Sequence, residues 1–141
     1  MDSEARKELC MEFQRAMERA DREFIDSVLA PDFTFENIED EPVHNPNTGE
    51  TFGPAFTRQE YLDIGVPAIK KFTVDGMHFE FEYAVSDGPI VALFGTSNGT
   101  GHNGRKYANR YCWLYRFAGD KIDMKREYKD TWLARKTLYG E

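Results

Sequence analysis

The second half of this chain alternates, and that alternation limits the folds open to it. In "MHFEFEYAV" (77–85), Phe79, Phe81, Tyr83 and Val85 take turns with His78, Glu80 and Glu82. A period of two belongs to a strand with one buried face and one wet face. "SDGP" (86–89) is a turn. "IVALFGTSN" (90–98) is apolar on both faces at first, as a central strand is. A glycine-rich connection, "GTGHNGR" (99–105), leads to "KYANRYCWLYRF" (106–117), which sets Tyr107, Asn109, Tyr111, Trp113, Tyr115 and Phe117 on one face. After the turn "AGD", "KIDMKREYKD" (121–130) returns as the last strand.

The first half is helical. Leu9, Phe13, Met17, Ala20, Phe24 and Val28 recur at three- and four-residue steps, which predicts one long helix over 3–29. Pro31 stops it, because the residue before a proline disfavours helix. "FTFENI" (33–38) reads as a short strand with Phe33, Phe35 and Asn37 on one side. A long proline-bearing loop follows, of the kind that often serves as a lid or binding loop. "TRQE" (57–60) is a capping box, with Thr57 as N-cap and Glu60 reaching back. It opens a second helix that ends near Pro67 or Lys71, and "TWLARKTLYG" reads as a short closing helix. Helices first and antiparallel strands after give an α+β class. Two helices cannot cover both faces of such a sheet. A curved antiparallel sheet wrapped around the N-terminal helices, with a pocket between them, is the economical arrangement. The uncovered face calls for a partner subunit, giving a homodimer, or a trimer as the alternative.

The 141 residues fit one domain spanning 1–141. A net charge of −7 argues against a nucleic-acid partner, which needs clustered Lys and Arg. No apolar run suits a membrane span or a signal peptide, so a cytoplasmic protein with no membrane partner is expected. Cys10 and Cys112 match no redox or zinc spacing and read as two buried thiols. The three histidines, His44, His78 and His102, are not spaced as ligands on one element. Neither a P-loop nor a dinucleotide glycine fingerprint is present. The expectation is therefore no metal and no cofactor.

The order helix, strand, loop, helix and four-strand meander resembles the nuclear-transport-factor-2-like superfamily, in which the sheet is cone-shaped. Its enzymes include SnoaL-like polyketide cyclases, ketosteroid isomerases and limonene-epoxide hydrolases. "YRFAGDKIDMKREYKDTWLARKTL" is similar to the family's C-terminal ending, with Gly119 and Asp120 exchanged relative to the common order. Counted from Ile122, the resemblance puts the family's acid on Glu127 and a trailing aspartate on Asp130. "FENI" is similar to the hydrolases' Tyr-x-Asn, with Phe35 in the tyrosine's place and Asn37 matching the asparagine. Phe13 and Trp113 stand where the isomerases carry their oxyanion-binding pair. Gly95 and Ser97 stand where the hydrolases carry an Arg-x-Asp. Neither of those two chemistries is therefore supplied by the matching positions.

The resemblance implies a cofactor-independent acid–base enzyme acting on a hydrophobic, oxygen-bearing small molecule, aromatic or polycyclic. The reactions in view are cyclisation, isomerisation, dehydration or retro-aldol cleavage. The catalytic candidates are Glu127 as base, Asn37 to orient substrate or water, and His44 or Asp130 to return the proton. Phe13, Phe35, Ser97, Tyr111, Trp113 and Tyr115 are the substrate-binding candidates, the tyrosines and Trp113 forming an aromatic stripe. The alternatives are a non-catalytic binding module of the same fold and an epoxide hydrolase. One conflict stands. Alternation from Ile122, Met124 and Tyr128 puts Lys125, Glu127 and Lys129 on the wet face, whereas the family ending puts Glu127 in the pocket. The two readings differ by one residue of register, which exchanges the faces of a strand.

Overall fold

The computed structural model describes residues 1–46 and 48–139. The N-terminal helix is two helices: α1 (Ser3–Arg19) and α2 (Arg22–Val28). Ala20 breaks the run by adopting a left-handed conformation, φ 53°. Its N–H still bonds back to the carbonyls of Ala16 and Met17. Asp21 then caps α2, accepting a hydrogen bond from the Phe24 N–H at 3.1 Å. Apolar spacing continues through the break, which is why periodicity alone reads a single helix.

β1 (Leu29–Asn37) begins directly after α2. The loop beyond it holds the two-stranded pair β2 (Val43–His44) and β3 (Thr51–Phe52), then β4 (Ala55–Thr57). The capping box forms as read, with Glu60 N–H on the Thr57 hydroxyl and Thr57 N–H on the Glu60 carboxylate. It opens α3 (Arg58–Glu60), a π-helical turn over Tyr61–Gly65, and α4 (Ala68–Phe72). The remainder is β5 (Thr73–Asp87), β6 (Ile90–Gly101), β7 (Lys106–Tyr107), β8 (Arg110–Ala118), β9 (Lys121–Lys129) and α5 (Thr131–Thr137).

The main sheet runs β4-β1-β9-β8-β6-β5, with β7 also paired to β6. Every pair is antiparallel except β1 with β9. The curved, antiparallel-dominated sheet and the N-terminal helices make the class α+β. Phe13 of α1, Ile25 of α2, Phe33 of β1, Trp113 and Tyr115 of β8 and Ile122 of β9 are buried together in the core between them.

Two bulges re-aim the side chains. On β9, Phe117 pairs with Ile122 but Arg116 pairs with Met124, so Asp123 is an extra residue. Ile122 therefore points into the core, and beyond the bulge Lys125, Glu127 and Lys129 take over the inward face. On β5, Phe81 pairs with Gly95 but Tyr83 pairs with Phe94, so Glu82 is extra. Phe79 packs in the core, whereas Tyr83 and Val85 turn outward at 69% and 56% exposure. The expected single apolar face over 77–85 is thus two half-faces on opposite sides.

Candidate functional site

The register of three neighbouring strands assembles the site. Asn37 of β1 pairs with Glu127 of β9, which pairs with Trp113 of β8. One step along, Phe35 pairs with Lys125, which pairs with Tyr115. All these side chains share the concave face, so a row of charge lies inside the cone. Lys125 is 1% exposed and the Lys129 side chain 3%.

Two buried ammonium groups and a carboxylate whose side chain is 22% exposed are tolerable here only when each finds partners. Glu127 does. Its Oε1 accepts from Trp113 Nε1 at 3.2 Å, and its Oε2 accepts from Lys129 Nζ at 2.9 Å. Lys129 also donates to Asn37 Oδ1 at 2.9 Å and lies 3.7 Å from a Glu39 carboxylate oxygen. Lys125 is held differently. It donates to Gln14 Oε1 and, at 3.2 Å, to the Tyr61 hydroxyl. The rings of Phe13, Tyr61 and Tyr115 surround it, their centroids 4.8, 5.8 and 5.5 Å from Nζ. Among the described residues no carboxylate forms an ion pair with it.

These surroundings set the titrations. Burial pulls the Lys125 ammonium down to about 7, against opposing contributions from Glu127 and Cys10. Burial pushes Glu127 up, but Lys129, Lys125 and the hydrogen bonds from Lys129 and Trp113 outweigh it and hold the carboxyl below its usual range. Burial opposes the Lys129 charge, yet Glu127 chiefly, with Tyr139 and Glu39, holds that ammonium above the usual range. Burial pushes the phenols of Tyr61, Tyr111 and Tyr115 well up, so they are neutral hydrogen-bond donors at any ordinary pH.

The cavity these groups line is about 80 Å³. Asn37, Lys125, Glu127 and Lys129 meet it from the sheet, Gln14 and Met17 from α1, and Phe52, Phe56 and Phe72 close the opposite side. Ligand pockets for drug-sized molecules are several-fold larger. In this form the cavity suits a compact molecule rather than a polycyclic one.

The sequence model of the SnoaL-like domain matches residues 11–123. This chain belongs to the SnoaL-like domain family. No curated protein sequence matches it. Among solved structures, a nuclear-transport-factor-2-like protein from Burkholderia xenovorans superposes with a TM-score of 0.72 at 17% identity, covering 98% of each chain. AclR from Streptomyces galilaeus, described as a hydroxylase, gives 0.71 at 16%, covering 96% of this chain and 85% of its own. A protein from Jannaschia described as a SnoaL-like polyketide cyclase gives 0.68 at 12%, covering 93% and 92%. Likenesses at these identities show the shared fold.

Within this SnoaL-like domain the sequence candidates divide. Glu127, Asn37, Phe35 and Tyr111 line the cavity. Trp113 and Tyr115 stand just behind it, Trp113 donating to Glu127 and Tyr115 to Gln14. Phe13 is fully buried against Tyr115 and Lys125. Ser97 is buried, its hydroxyl taken by the Asn109 N–H at 3.1 Å. His44 is exposed on β2, bonded to the Thr51 hydroxyl, and does not line the cavity. Asp130 caps α5 through the Leu133 N–H at 3.2 Å and is likewise outside the cavity. His102 bonds the Lys71 carbonyl, and His78 faces Glu18 at 2.9 Å, both exposed. Lys125, Gln14 and Tyr61 join the site unannounced. The sequence signal for Lys125 is its place two residues before Glu127 on one strand. The bulge that brings both inward leaves no mark in the alternation. Among the described residues no group of three His, Cys, Asp or Glu side chains is placed to hold a metal, and no helix is long and apolar enough to cross a membrane.

Proposed function

We propose that this SnoaL-like protein is a cofactor-independent acid–base enzyme acting on a compact, apolar carbonyl compound. The observation that carries this reading is a single carboxylate in an apolar cavity, held by Trp113 and Lys129, with a second titratable group, Lys125, on the same strand face. Cyclisation, isomerisation and dehydration begin with a proton taken from the carbon next to a polarised carbonyl, and retro-aldol cleavage with one taken from the β-hydroxyl. Glu127 is the base. Each of its oxygens keeps a free lone pair after its one hydrogen bond, and the fixed donors spare it any reorganisation when a proton is passed. Lys129, itself bonded to Asn37, holds its orientation. Lys125, with the Tyr61 hydroxyl beside it, meets the carbonyl end of the substrate. His44 and Asp130 lie outside the cavity, so the proton that Glu127 takes is returned by the same carboxyl.

A binding module of the same fold needs only a shaped apolar cavity, and the paired polar groups around Glu127 favour catalysis over it. Epoxide hydrolysis by the family's central-strand dyad finds little support. A Cβ on Gly95 would sit 2.5 Å from the Glu80 carbonyl oxygen, and the Ser97 hydroxyl is engaged. The outward apolar side chains on β5 and β6 favour a homodimer.

The test is deuterium exchange at the carbon next to the carbonyl of acetylacetone, cyclohexanone and 4-hydroxy-4-phenylbutan-2-one. The wild-type protein accelerates exchange of at least one, and Glu127→Gln lowers that rate by about 100-fold or more. Unchanged exchange in Glu127→Gln removes the assigned base.

A further inference from the structure

Lys125 is more elaborately housed than a lysine that merely balances charge. Its partner Lys129 already neutralises Glu127 at 2.9 Å. Lys125 instead ends among Gln14, Tyr61 and three aromatic faces, at the cavity wall. Aromatic faces attract a cation without supplying a counter-ion that would hold the amine in its charged form. They favour an ammonium, and they favour a protonated imine on the same nitrogen equally well. Neutral hydrogen-bond acceptors and donors, Gln14 Oε1 and the Tyr61 hydroxyl, can likewise serve an amine, a carbinolamine or an iminium.

We propose that Lys125 is a covalent catalytic residue that forms an iminium with the carbonyl carbon of a small aldehyde or ketone held in this cavity. The proposal rests on the acid–base reading above and deepens it. The nitrogen lone pair attacks the carbonyl carbon, the C=O π pair takes up a proton, and the nitrogen gives one up, leaving a neutral carbinolamine. That hydroxyl departs as water after a second proton arrives, giving C=N⁺. A β-hydroxy substrate then gives its hydroxyl proton to Glu127. The O–H pair forms the new C=O of the released aldehyde, and the Cα–Cβ pair moves into the iminium to leave an enamine. Protonation at Cα regenerates the iminium, and the water lost earlier is replaced by one that hydrolyses it to the free amine and the second product. The neutral Tyr61 hydroxyl, 3.2 Å from Nζ and turned toward Met17 Sδ at 3.3 Å, is placed to hydrogen-bond the carbonyl oxygen while Glu127 handles the protons.

The groups facing Lys125 are Cys10 and Gln14 from the first helix, Tyr61 from the π-helical turn, Tyr115 from β8 and Glu127 from its own strand. Burial dominates over all of them and leaves a large neutral fraction at pH 7. An exposed lysine has roughly one neutral amine in a few thousand at that pH.

The experiment treats the full-length protein at pH 7 with propanal or benzaldehyde and cyanoborohydride, then maps the reduced adduct by peptide mass. Lys125 is expected to be labelled about tenfold or more faster than any exposed lysine. Lys125→Met, which keeps the apolar stem, loses that adduct while its circular dichroism and thermal transition show it folded. Labelling of Lys125 no faster than that of exposed lysines with both aldehydes overturns the proposal. So does an early single adduct that persists in Lys125→Met. Glu127→Gln separates the two readings. An adduct on Lys125 in that variant with deuterium exchange unimpaired leaves the iminium standing and removes Glu127 as base. Absence of any Lys125 adduct in wild-type protein whose exchange depends on Glu127 leaves the base standing and removes the iminium.

Discussion

At the scale of the residue, the molecule accepts a buried lysine at a cost that depends on pH. Lys125 has its folded value near 7 against 10.5 for the free side chain. Above about 10.5 both states are neutral and the residue costs nothing. As pH falls from there the unfolded chain takes up the proton first, so stability is lost progressively until pH 7, below which the penalty is constant. Lys125→Met is therefore expected to stabilise the fold at pH 7 by on the order of 2 kcal/mol, the gain shrinking toward pH 10. Urea titrations of both proteins at the two pH values check this. An equal gain at both would mean that the methionine simply packs better. Glu127 works in the opposite sense. Its folded value is depressed, so its contribution is present above the ordinary carboxylate range and is lost as pH falls through the folded value. The Glu127→Gln variant should then lose less stability between pH 6 and pH 3 than the wild-type protein does.

At the scale of the element, side chains that look alike in sequence separate by position. Asp130 is the N-cap of α5, where truncation removes one hydrogen bond to a helix terminus. Asp130→Ala should cost about 1 kcal/mol of stability and leave deuterium exchange unchanged. A hundredfold loss of exchange in a folded Asp130→Ala would instead return Asp130 to the chemistry. The helices, the capping box at Thr57 and the four-strand meander are legible in the chain because each follows local periodicity or a local hydrogen-bond motif. The faces of β5 and β9 are not. A bulge is one extra residue opposite a partner strand, and nothing local distinguishes Glu82 or Asp123 from an ordinary strand residue. Alternation read through Asp123 puts Lys125, Glu127 and Lys129 outside. The family ending puts Glu127 inside, and the bulge explains how Ile122 and Glu127 both point inward. The break at Ala20 is hidden for a similar reason. A left-handed alanine is uncommon, and its neighbours keep the apolar spacing of an unbroken helix.

At the scale of the whole molecule, the sheet has one face against the helices and one without a covering layer. Tyr83, Val85 and Phe94 sit on the uncovered face, with Tyr83 and Phe94 directly paired across β5 and β6. An exposed aromatic pair of this kind near the β5 edge of the sheet suits a self-complementary contact. Sedimentation is expected to give a dimer, and Tyr83→Glu to weaken it by about tenfold or more without altering the thermal transition of the monomer. A monomer at all accessible concentrations would contradict that assignment. The cavity of about 80 Å³, by contrast, is lined by residues of one chain on the helix-covered side of the sheet, away from Tyr83 and Phe94.

The Asp123 bulge turns Lys125 and Glu127 into the cavity, where burial pulls the Lys125 ammonium down to about 7. Labelling the lysine side chains with ¹³C and following their Cε resonances through a pH titration tests it most directly. One resonance is expected to have its midpoint near 7 and to be missing in Lys125→Met. A Lys125 resonance with its midpoint near 10.5 would place that side chain in water, outside the cavity.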